Sequence, residues 1–121
     1  MKLETEEHNA VVILRVQESR VDAHNSGELK LAIVRLFAAG KRKILIDLAQ
    51  VDFMDSSGLG ALISGYKTAN SCGGALRLAG LRPQVRSIFE LTRLHRVFEI
   101  FPGVDQGLES FQVPHGEIGK P

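Results

Sequence analysis

The segment Asp55-Ser56-Ser57-Gly58-Leu59-Gly60 sets a carboxylate and two hydroxyls directly ahead of an apolar run at helical spacing, Leu59, Leu62, Ile63 and Tyr66. Three roles are open to that arrangement. In the first, the side-chain oxygens are N-caps that accept from the backbone N–H groups a first helical turn leaves unpaired, while Gly58 and Gly60 let other backbone approach. In the second, an exposed Ser56 accepts a phosphate, which free N–H groups and the positive end of the helix dipole stabilise by about 0.3–2 kcal/mol. In the third, Ser56 is a catalytic nucleophile, which requires a base within hydrogen-bond reach and an oxyanion hole. The sequence argues against this last role. His8, His24, His95 and His115 are scattered among turn, helix and terminal contexts, and Ser56 lacks the Gly-x-Ser-x-Gly elbow. Gly58-Leu59-Gly60 is not a phosphate loop followed by Lys-Ser/Thr either, so no enzyme activity, cofactor or bound ATP is expected of this chain.

The elements that must hold this segment can be read from periodicity. Residues 2–7 and 10–17, joined by a turn at His8-Asn9, read as a hairpin of two strands. Leu29, Ala32, Ile33, Leu36 and Phe37 recur at helical spacing within residues 22–39, with Asp22 or Asn25-Ser26 as capping candidates and Gly40 as the stop. Ile44-Leu45-Ile46 predicts a central strand over residues 43–48, covered on both faces. A strand ending in Phe53-Met54 then delivers the polar segment to a helix running toward Gly73-Gly74. That places Ser56 where open α/β sheets put their binding sites, at the end of a central strand. Further elements are a strand at 75–79, a helix at 83–92 with Val85, Ile88 and Phe89 inward, a strand at 98–101 and a short helix at 105–111. The fold class predicted is α/β, a mixed β-sheet with an opening hairpin and about four helices packed on it. One domain over residues 1–111 is expected, with an aperiodic tail, 112–121, expected to be disordered.

Composition narrows the function further. The 121 residues are 44% hydrophobic and 24% charged, a globular balance without an apolar run long enough to span a membrane. The acidic start, Glu4 to Glu7, is unlike a signal peptide, so a soluble cytoplasmic protein without membrane insertion is expected. A net charge of +1 offers no general attraction to nucleic acid, and Lys41-Arg42-Lys43 reads as a solvated turn with cations near a helix C-terminus. The single cysteine, Cys72, has no disulfide partner and no metal-ligand spacing, and reads as a packing residue.

Asp47-Leu48, Val51, Phe53-Met54 and the Asp55 to Gly60 block strongly resemble the STAS domains of bacterial anti-sigma factor antagonists. Val21-Asp22-Ala23, Gly73-Gly74, Leu91-Thr92-Arg93-Leu94 and Val97-Phe98 extend the resemblance over roughly residues 3 to 110. It implies that Ser56 is a phosphoacceptor and that the unphosphorylated protein binds an anti-sigma factor that is also its serine kinase, freeing a sigma factor. The kinase would supply the ATP, and a metal-dependent serine phosphatase would reset the switch. Ser57 would support the loop, and Asp22 and Asp55 would contact the partner or position the hydroxyl, with Gly58 and Leu59 in the same partner-binding or loop-supporting group. A phosphate beside these carboxylates adds about −1.5 to −2 charge and would expel a partner docked over the loop. The chain departs from the family where Ser19-Arg20-Val21-Asp22 lacks the glycine many relatives carry before this aspartate. The free protein is expected to be a monomer or weak dimer. The alternative reading is a STAS module of a stressosome-like scaffold or a transport-associated subunit. Leu59 and Ile63 could serve such contacts if exposed, though their spacing predicts burial.

Overall fold

The computed structural model describes residues 1–112. Strands β1 (Leu3–His8) and β2 (Val11–Val16) open the chain, followed by a short strand β3 (Arg20–Val21) and helix α1 (Ser26–Ala38). Then come β4 (Lys43–Asp47), a second short strand β5 (Phe53–Met54), α2 (Ser56–Ser71), β6 (Ala75–Ala79) and α3 (Pro83–Leu91). A 3-10 turn at Leu94–Arg96, β7 (Ile100–Phe101) and α4 (Val104–Gln112) follow. Five strands form one sheet in the order β1-β2-β4-β6-β7, antiparallel between β1 and β2 and parallel elsewhere. This is the mixed α/β sheet with an opening hairpin and four helices that periodicity predicts.

The apolar run of β4 is covered on both sides because successive strand residues face opposite ways. Ile44 and Ile46 join Val12, Leu14, Leu76 and Leu78 in a core closed by Leu29, Ile33 and Phe37 of α1, Leu59 and Leu62 of α2, and Val85 and Phe89 of α3. Leu45 faces the other way, with Val11 and Ala79, against Val104, Leu108 and Phe111 of α4. α4 approaches so closely that a Cβ on Gly107 would come within 2.6 Å of Leu45 Cδ1.

Several boundaries differ from the sequence reading for local reasons. His8 pairs with Val11, so the hairpin turn is Asn9-Ala10 rather than His8-Asn9. Both turn residues have positive φ, +50° and +69°, as a two-residue primed turn requires. α1 begins at Ser26 with Asn25 at its N-cap position, the second of the two starts the sequence offers, because Asp22 to Asn25 form a hydrogen-bonded turn of their own. Of the strand expected at 98–101, only Ile100–Phe101 pairs with β6. Phe98 leaves the ladder to fill the core edge-on to Tyr66 and Phe89, at centroid distances of 5.3 and 5.8 Å. Cys72 packs at the C-cap of α2 against the core. Arg42 donates to the Phe37 and Lys41 carbonyls at the end of α1, and Lys41 pairs with Glu7, which makes this basic run a capping turn. Among the described residues, no helix is long and apolar enough to cross a membrane. Of the tail expected at 112–121, Gln112 closes α4 and residues 113–121 lie outside the described residues.

Candidate functional site

Ser56 does not follow the central strand, as the sequence reading had it. β4 ends at Asp47, and the buried side chains of Leu48 and Val51 anchor a reversal closed by the Val51 N–H on the Leu48 carbonyl at 3.0 Å. β5 then pairs with β3 in a separate two-stranded parallel sheet, Arg20 beside Phe53 and Val21 beside Met54. The Ser19 carbonyl accepts from both Asp52 and Phe53 N–H, and Arg82 braces the outer side through Ala49 O at 2.7 Å and Asp52 Oδ1 at 2.8 Å. Val21 and Met54 are fully buried, so the residues on either side of them, Arg20 and Asp22 about Val21 and Phe53 and Asp55 about Met54, lie toward solvent. The small sheet thus brings Asp22 and Asp55 to adjacent positions, with the Asp55 N–H donating to the Val21 carbonyl at 3.2 Å.

Asp55 is the N-cap of α2. Its backbone is extended, and Oδ1 accepts from Ser57 N–H at 2.9 Å and Gly58 N–H at 3.1 Å. Ser56 is the first residue of the helix and exposed, and among the described residues neither its hydroxyl nor that of Ser57 is hydrogen-bonded to a protein group. The capping role and the hydroxyl role, open alternatives in the sequence, therefore fall on different residues. One expectation changes with this assignment. A phosphate on Ser56 would meet only the N–H of Ser56 itself in the first turn, because Ser57 and Gly58 N–H are held by the Asp55 carboxylate and Leu59 N–H by the Asp55 carbonyl at 3.0 Å.

The remaining motif residues divide by packing. Gly58 is buried where α2 crosses the small sheet, and a Cβ there would lie 2.6 Å from Met54 Cγ and 2.9 Å from the Val21 carbonyl. Gly60 has open space instead, so the close approach expected at both glycines occurs only at Gly58. Leu59 is 7% exposed and belongs to the core, and Ile63 is half-buried against it, as their spacing predicts. Leu59 can support the loop but presents little surface to a partner. Asp22 is half-buried, and its Oδ1 accepts from His24 N–H at 3.0 Å while its carbonyl accepts from Ser26 N–H at 2.8 Å.

Sequence reasoning missed two neighbours of the site. The Arg20 guanidinium stacks over the Phe53 ring, 4.2 Å from its centroid, and Nε lies 3.6 Å from Asp22 Oδ2. The polar-apolar-polar order Arg20-Val21-Asp22 was the available signal for β3, but two residues are too short a run to read as a strand. Among the described residues, no group of three or more His, Cys, Asp or Glu side chains could hold a metal, and His95 Nδ1 lies 3.3 Å from the Phe89 carbonyl.

A mixed sheet layered between three helices and one, with a serine opening the second helix from a detached strand pair, matches one known class of domain. Residues 2–107 fit the model of the STAS domain, and the chain belongs to that family. It is 26% identical over 114 residues to an anti-sigma F factor antagonist of Paenibacillus polymyxa, covering 93% of this chain and 97% of that protein. It is 25% identical to the crystal structure of an anti-sigma factor antagonist from Mycobacterium paratuberculosis, with a TM-score of 0.84 over 93% of this chain and 94% of the other. The Bacillus cell fate determinant SpoIIAA in its phosphorylated form shares the fold at 19% identity, with a TM-score of 0.71 over 91% and 99% of the two chains.

Proposed function

We propose that this chain is an anti-sigma factor antagonist whose partner binding is switched by phosphorylation of Ser56. Unphosphorylated, it binds an anti-sigma factor that is also a serine kinase and so frees a sigma factor in the cytoplasm. The kinase transfers phosphate from its own ATP to Ser56, the antagonist leaves, and a metal-dependent serine phosphatase restores it. The chain itself does no catalysis and holds no cofactor. The observation that carries this reading is the exposed, uncommitted Ser56 hydroxyl at the head of a helix already capped by Asp55. Such a hydroxyl can be modified without breaking a contact that the fold uses. The names of the relatives, and a family member that exists in a phosphorylated form, support the same reading.

The physical consequence of the modification is electrostatic. A phosphate of about −1.5 to −2 charge would stand beside Asp55 and near Asp22, and a partner docked over this edge would meet repulsion and the cost of burying the anion. Ser57, Gly58 and Leu59 fix the loop, the last two through the core. The test is to incubate the protein with ATP and anti-sigma kinases of its own genome and locate added phosphate by mass spectrometry. Phosphate on Ser56 in wild type and none in Ser56→Ala is the expected result. Modification elsewhere, or binding to none of the kinases, would return the chain to the scaffold or transport-associated reading.

A further inference from the structure

We propose that Arg20 is the cation that receives the phosphate of Ser56, exchanging its contact with Asp22 for one with the phosphate. The inference rests on the reading of Ser56 as the phosphoacceptor. A dianion placed at the head of α2 finds two of its usual backbone donors occupied, since Asp55 already holds the Ser57 and Gly58 N–H groups and leaves only that of Ser56 itself. It also sits next to the Asp55 carboxylate, so a mobile positive charge on the same outer surface becomes the favoured partner.

Arg20 fits that description by position and by the weakness of its present contacts. The β3–β5 register sets it opposite Phe53, on the same solvent side as Asp22 and Asp55. The Phe53 ring, itself 38% exposed, supports the flat face of the guanidinium and leaves its N–H fork free at the edge. Its ion pair is a single 3.6 Å approach to Asp22 Oδ2, and its side chain is 60% exposed. Arg82, by contrast, is committed to the Ala49 carbonyl and Asp52. Drawing Arg20 toward the phosphate would bare the Asp22 carboxylate at the same time. One modification thus changes the charge presented at two points of the edge, and the phosphate is held in a fixed place.

The test uses the full chain with phosphoserine inserted at position 56 during translation, so that it does not depend on a kinase. The second ionisation of the phosphate is followed by phosphorus NMR in this protein and in the same protein carrying Arg20→Gln. A guanidinium paired with the phosphate favours the dianion, so the midpoint with Arg20 present is expected about half a unit or more below that of the Arg20→Gln form. Coincident titrations would overturn the role of Arg20 while leaving Ser56 as acceptor untouched. Failure of kinases to modify Ser56 would count against the acceptor and not against this pairing.

Discussion

At the level of single residues, the division of labour between Asp55 and Ser56 is what would make the proposed modification of Ser56 compatible with a stable fold. Asp55 caps the first turn at Ser57 and Gly58, and among the described residues the Ser56 hydroxyl bonds to no protein group. Ser56→Ala is therefore expected to change unfolding free energy by no more than about 0.5 kcal/mol, as for other exposed sites without a contact to lose. Asp55→Ala should cost about 0.5–2 kcal/mol, the value of an N-cap. Asp55→Asn, which keeps the accepting oxygen, should lose less, and urea unfolding of the three variants measures all of these. The sequence showed that a cap and a hydroxyl were both present within Asp55-Ser56-Ser57. It did not show which residue did which, because Ser and Asp have similar N-cap preference and only the backbone path separates them.

Individual elements show where sequence patterns were sufficient and where they were not. The helices and β4 were legible because Leu29, Ile33 and Phe37, or the Ile44 to Ile46 run, bury whole faces that leave a periodic trace. The β3–β5 pair left almost no such trace, since each strand is two residues long and held by the Ser19 and Val21 carbonyls more than by a ladder. Its position was consequently misread as the end of the central strand. The close packing of α2 on this pair predicts that Gly58→Ala will cost about 1–3 kcal/mol as an overpacked site, because Met54 and the Val21 carbonyl occupy the space of a Cβ. The hairpin turn predicts the opposite sign for a change toward glycine. Ala10 sits at φ +69°, where a Cβ costs about 1–2 kcal/mol, against about 0.5–1 kcal/mol of extra freedom that glycine has when unfolded. Ala10→Gly should then raise stability by about 0.5–1 kcal/mol, seen as a higher midpoint in thermal unfolding.

For the whole molecule, the arrangement separates what keeps the protein folded from what it presents to others. The core lies between the sheet and its helices, whereas Arg20 and Phe53 sit on a detached strand pair from which the chain runs through Asp55 to the exposed Ser56. A charge added there can alter recognition while the hydrophobic core is unchanged. Ser56→Asp, with one negative charge, should weaken partner binding less than a phosphate does, and its unfolding midpoint should stay near that of wild type. The most direct measurement is calorimetric titration of the kinase that modifies Ser56 with the unphosphorylated and the phosphorylated full chain. The account predicts that phosphate on Ser56 weakens binding by about tenfold or more, equivalent to about 1.4 kcal/mol or more. Equal affinity of the two forms would contradict it.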